Sequence, residues 1–67
     1  MTWNYRIVQI DSDFGIYEVY YDDEGNPMAR TEDPVGCVGG DLKELRRSFD
    51  YMEHAFKLPV LRENDFW

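Results

Sequence analysis

One amphipathic helix near the end of the chain sets the terms for everything before it. Asp41-Leu42-Lys43-Glu44 has the form of a capping box, an N-cap acceptor followed three positions on by an acid. Apolar residues then recur at Leu42, Leu45, Phe49, Met52 and Phe56, the spacing of one helical face, with small Ser48 and Ala55 beside the stripe. Pro59 ends the helix, because the residue before a proline is pushed out of the α region. Two heptads are too short for a coiled coil, so the stripe is expected to pack as core. The rest of the chain must therefore supply a surface for it.

That surface reads as a sheet. Asn4 to Ile10 is short, β-branched and aromatic. Asp11-Ser12-Asp13 breaks the run, and Gly15 to Asp22 is the clearest strand, with Tyr17, Val19 and Tyr21 on one face and Ile16, Glu18 and Tyr20 on the other. Asp22-Asp23-Glu24-Gly25-Asn26-Pro27 is a hairpin connection with Gly25 or Asn26 able to take a positive φ. A third strand follows over Pro27 to Glu32, and Gly36, Gly39 and Gly40 make the next stretch irregular. The expected fold class is α+β, a three-stranded antiparallel meander with one C-terminal helix packed on one face. Residues 1–61 make this single β-β-β-α domain, and residues 62–67 read as a tail. Phe66 and Trp67 at its end either fold back on the core or dock in a partner. The sheet face opposite the helix is left open, with Ile16 and Tyr20 available there as an apolar interface.

Nothing but packing holds such a fold together. A 67-residue chain buries only about 60% of its unfolded surface. One cysteine, Cys37, allows no internal disulfide, and one Cys with one His cannot build a four-ligand zinc site. The core must rely on its 2 Trp, 5 Tyr and 4 Phe.

Charge then narrows the function. The formal net charge is −7, from 14 acids and 7 bases. Between positions 11 and 33 lie Asp11, Asp13, Glu18, Asp22, Asp23, Glu24, Glu32 and Asp33 against Arg30 alone, so the sheet and its turns carry the whole excess. The meander predicts Asp11, Asp13, Glu32 and Asp33 at one end and Asp22, Asp23 and Glu24 at the other, roughly 20 Å apart, with Glu18 between them. Turn chemistry and solubility explain such residues as well as binding does. A chain this acidic is not expected to bind nucleic acid directly, since phosphate contacts need Lys and Arg. No run approaches a membrane span and no signal pattern opens the chain, which with the free cysteine points to a cytoplasmic, reducing compartment.

Catalytic and metal readings are weak. Asp11-Ser12-Asp13-Phe14-Gly15, and the alternating Asp22, Glu24 and Asn26, only echo a calcium loop. Asp50 and His54 stand four apart on the helix, but the only nucleophile to join them is Cys37, whose glycine and valine flanks suit a small buried residue. The expectation is no catalytic residues, no metal and no cofactor. Arg46 and Arg47 read as partners for Asp50.

The passage Asp33-Pro34-Val35-Gly36-Cys37-Val38-Gly39-Gly40-Asp41-Leu42-Lys43-Glu44-Leu45 resembles the strand–loop–helix region of HicB-type antitoxin domains. The wider order, from Trp3-Asn4-Tyr5-Arg6-Ile7-Val8 to Thr31-Glu32-Asp33-Pro34-Val35, is similar to that of short bacterial and phage proteins. The HicB resemblance implies a free-standing antitoxin or adaptor module, monomeric or homodimeric, acting through the open sheet face. In small size and acidity alone the chain is similar to anti-CRISPR and other DNA-mimic inhibitors. The leading expectation is a non-enzymatic inhibitor that presents its eight sheet carboxylates to the basic, nucleic-acid-binding surface of a protein partner.

Overall fold

The computed structural model describes residues 2–66. Strand β1 (Thr2–Ile10) pairs antiparallel with β2 (Asp13–Tyr21) in unbroken register, from Thr2 opposite Tyr21 to Ile10 opposite Asp13. Only Asp11 and Ser12 connect them, and Asp11 takes a φ of 57° to close so tight a turn. Strand β3 (Pro27–Arg30) pairs antiparallel with β2, with a bulge between Tyr20 and Tyr21. Both first strands are longer at their N-terminal ends than their composition suggests. The third stops at Arg30, although Thr31 and Val35 still donate backbone hydrogen bonds to Glu18 and Ile16, at 3.0 and 2.8 Å.

The expected three-stranded antiparallel meander is present as β1-β2-β3, but the sheet does not end there. Leu61–Arg62 forms a fourth strand, β4, parallel to β1 with Val8 opposite Leu61, and the order is β3-β2-β1-β4. The α+β class stands, with a mixed four-stranded sheet. The physical reason is the free edge of β1, whose backbone groups need partners that no earlier strand supplies. Arg6 helps to hold the returning chain there, its guanidinium donating to the Pro59 carbonyl at 2.8 Å and to the Tyr21 hydroxyl at 3.0 Å.

Nor is the end of the chain a tail. Beyond β4, Glu63–Phe66 winds into a 3₁₀ turn that lays Phe66 on one sheet face against Val8, Tyr17 and Val19, with Ile10, Tyr21 and Leu61 around them. Val8 and Val19 are completely buried, and Phe66 is 6% exposed. Arg30 lies 5.2 Å above the Tyr17 ring and pairs with Glu63 at 2.6 Å, tying β3 to this turn. Trp67 lies outside the described residues.

The opposite face carries Ile7, Ile16, Glu18 and Tyr20, and it is the one the helix meets. Helix α1 (Leu42–Glu53) starts with Asp41 as N-cap, accepting from the Glu44 amide, while Glu44 reaches one residue past the capping-box position and accepts from the Gly40 amide, both at 2.8 Å. It tightens into a 3₁₀ turn over His54–Lys57 before extended Leu58 and Pro59. Ile7, Met52 and Ala55 are buried. The last fifteen described residues thus pass from one face of the sheet, around the β1 edge, to the other.

Candidate functional site

Both sheet faces are partly covered, although Trp3 and Phe14 on the helix side stay 50% and 63% exposed. Ile16 is half-buried in a cleft shared with Ile7, Phe14, Phe56, Leu58 and Val60. Tyr20 is half-buried on the same face, its hydroxyl donating to Glu18 at 2.7 Å. The helical segment covers the face expected to be free, and the C-terminal turn covers the other. Ile16 and Tyr20 are thus less exposed than a fully open face would leave them.

The helix stripe departs further from expectation. Of its five members only Met52 is buried, while Leu42 is 81%, Leu45 36%, Phe49 49% and Phe56 71% exposed. Periodicity says which residues share a face, not what that face meets. Beside the first two turns lies the preceding loop rather than the sheet: Ser48 donates to the Val38 carbonyl at 3.0 Å, and Gly39 sits where a Cβ would overlap the Leu45 backbone. Cys37 is exposed, not buried, and its thiol approaches the Leu45 carbonyl at 3.6 Å. Cys37, Leu42, Lys43, Leu45, Arg46 and Phe49 line one wide apolar groove. Gly39, whose missing Cβ lets the loop run so close to the helix, was the available sequence signal for this surface.

The eight sheet carboxylates fall into three groups rather than two. Asp11 and Asp13 stand at the β1–β2 turn, and Asp22, Asp23 and Glu24 at the β2–β3 turn. Glu32 and Asp33 do not join the first group. The Thr31 and Val35 backbone bonds hold them alongside the middle of β2, near Glu18. The nine residues of β2 span about 26 Å, so the groups follow one another at roughly 10–13 Å. Eight charges over that length give about one per 3 Å, close to a single nucleic-acid strand and half as dense as a duplex.

Two of the eight have structural work. The Asp22 carboxylate accepts from the Glu24 and Asn26 amides, both at 2.9 Å, and organises the turn in which Gly25 takes a φ of 83°. Hydrogen bonding from the Asn26 backbone, with smaller help from Glu24, holds its carboxyl below the usual Asp range. Glu18 accepts the Tyr20 hydroxyl, and this hydrogen bond, followed by desolvation, raises the Tyr20 phenol above its ordinary value. The remaining six, Asp11, Asp13, Asp23, Glu24, Glu32 and Asp33, are exposed. Among the described residues the only ion pairs are Arg30–Glu63 and Arg46–Asp50, so none of the six has a cationic partner.

A pH prediction follows from Asp22. A carboxyl whose folded pKa is depressed contributes stability above its unfolded pKa, near 4, and loses it as pH falls through the folded value. Carboxyl ¹³C titration should therefore give Asp22 a lower midpoint in the folded chain than in the chain unfolded by urea. The Asp22→Ala variant should melt at a lower temperature than wild type at neutral pH, and the gap should narrow below about pH 4. Equal Asp22 midpoints in the folded and unfolded chain would contradict the turn geometry.

Among the described residues no group of three or more His, Cys, Asp or Glu is placed to hold a metal. Cys37 and His54 are not brought together: the thiol lies beside Leu45, about 13 Å along the helix axis from position 54, and His54 lines a separate cleft with Trp3, Tyr5 and Tyr51. Asp50 pairs with Arg46 at 3.2 Å. Among the described residues no helix is long and apolar enough to cross a membrane.

No family model, curated protein or solved structure matches the chain. Functional argument therefore rests on these surfaces.

Proposed function

We propose that the chain is a small acidic protein-binding module that inhibits a nucleic-acid-handling partner by occupying its basic surface. The observation that carries this reading is the set of six exposed sheet carboxylates without an internal cation. Charges that serve only the fold are usually tied to it, as Asp22, Asp41 and Glu44 are here through backbone amides. Six left unpaired on one small sheet repel one another and lower stability, a cost that a cationic partner removes. With Glu18 and Asp22 they make eight carboxylates at about one per 3 Å of β2, close to the spacing along a strand of phosphates and suited to a groove of Lys and Arg. Association would be electrostatically steered, fast at low salt and slow at high salt.

The test is capture of partners from host lysate at low and at high salt, followed by displacement of the captured protein with a nucleic-acid oligonucleotide. Release by both salt and oligonucleotide is the expected result. A partner held equally at both ionic strengths, or one indifferent to nucleic acid, would overturn the proposal.

A further inference from the structure

Glu18 differs from the other acids of the sheet in its surroundings. Its backbone faces β3, where the Thr31 amide donates to the Glu18 carbonyl at 3.0 Å. Towards β1 it therefore forms a pair of the close, non-hydrogen-bonded kind with Tyr5, and two positions along Tyr20 forms another with Trp3. Residues directly opposite one another share a face, and in such pairs their Cα atoms are about 4.5 Å apart. The Trp3 and Tyr5 rings meet edge to face with centroids 5.2 Å apart. One carboxylate thus stands among three aromatic side chains on the helix side of the sheet.

That carboxylate is only partly used. Glu18 is half-buried, and its Oε1 accepts the Tyr20 hydroxyl at 2.7 Å. Among the described residues neither oxygen meets a cation, and Oε2 has no hydrogen-bond partner. The amide bonds that account for Asp22, Asp41 and Glu44 are not available to a side chain in mid-strand. Half-burial beside apolar rings costs a charge part of its hydration, and a cation set against it offsets that cost. Trp3 is 50% exposed, so the patch opens to solvent beside it. Tyr51, His54 and Lys57 wall the cleft on the far side of Trp3 and Tyr5, and Lys57 pairs with no acid among the described residues.

We propose that Trp3, Tyr5 and Tyr20 around Glu18 receive an arginine side chain of a protein partner. A guanidinium is planar, stacks on aromatic faces and is more weakly hydrated than an ammonium, so it can lie on a ring while its N–H edge reaches Oε2. Glu18 stands between the carboxylates of the two turns, so an arginine anchored there sits at the centre of the acidic row, where interface anchors concentrate. The basic character of the partner rests on the function proposed above; the site itself does not.

The probe is N-acetylarginine amide, titrated into the ¹⁵N-labelled full chain at constant ionic strength. The backbone amides of Trp3, Tyr5, Glu18 and Tyr20 should shift saturably with a midpoint in the millimolar range, the strength of one anchor without the rest of its interface. N-acetyllysine amide should bind severalfold more weakly, because it carries the charge without the plane. Trp3→Ala and Glu18→Gln should each weaken arginine binding about tenfold, followed at the Tyr20 amide. Neither position belongs to the buried core, Gln keeps an acceptor for the Tyr20 hydroxyl, and far-UV circular dichroism checks the fold. Absence of a saturable shift, equal binding of the two probes, or undiminished binding in both variants overturns the proposal. The probe needs no partner, so its failure leaves the inhibitor function standing, while loss of salt-sensitive capture with arginine binding intact overturns that function alone.

Discussion

Replacing Phe66 with alanine should bring the protein close to its unfolding midpoint at room temperature. Phe66 lies against completely buried Val8 and Val19 on a face that no other element fully covers. A buried Phe→Ala change costs about 3–5 kcal/mol, combining lost transfer energy with the cavity left behind. A chain of 67 residues has a total stability of only about 3–10 kcal/mol at the usual figure per residue. Urea titration followed by far-UV circular dichroism measures the difference. Phe66→Leu, which keeps most of the volume, should recover more than half of the loss. If Phe66→Ala lies within about 1 kcal/mol of wild type, the C-terminal turn is not part of the core.

The second large effect concerns the carboxylates. Reversing Asp13, Asp23, Glu24, Glu32 and Asp33 to lysine should reduce partner affinity by a hundredfold or more at low salt, since each reversal turns an attraction into a repulsion. Three of the eight are left out on structural grounds. Asp22 holds the β2–β3 turn through two amide bonds, and Asp11 occupies a positive φ that lysine adopts poorly. Glu18 is retained for its bond to Tyr20. The five reversed residues are exposed, so thermal stability should hold or rise as self-repulsion is relieved. Unchanged affinity in a folded variant would leave the acidity as solubilising charge.

What could be read from residues alone follows the range of the interaction concerned. The Asp41–Glu44 capping box, the Asp22–Pro27 turn and the β1–β2 pairing each rest on neighbours a few positions apart, and each is present. The position of the helix was not legible, because the stripe from Leu42 to Phe56 fixes a face without naming its neighbour. A two-residue strand at Leu61–Arg62 has no period to detect, and it exists only because β1 offers an edge. Phe66 carries a hydrophobic signal but no address. The acidic groups were located correctly at the two turns and misplaced at Glu32 and Asp33, where the chain runs on beside β2 after leaving β3.

The path of the last fifteen described residues around the edge of β1 also bears on how the fold is reached. The β1–β2 hairpin closes through two residues and is local, but an isolated two-stranded ribbon is marginal in water. Met52 and Ala55 seal one of its faces and Phe66 the other, and Val8 and Leu61 must find each other across 53 positions. Closing a loop of that length costs about 3.5 kcal/mol in chain entropy, recovered only once the far side is packed. Neither half of this clasp is stable without the other. Folding should therefore be all-or-none, with secondary structure and aromatic packing lost at a single denaturant midpoint, and separate midpoints would show that the hairpin survives alone.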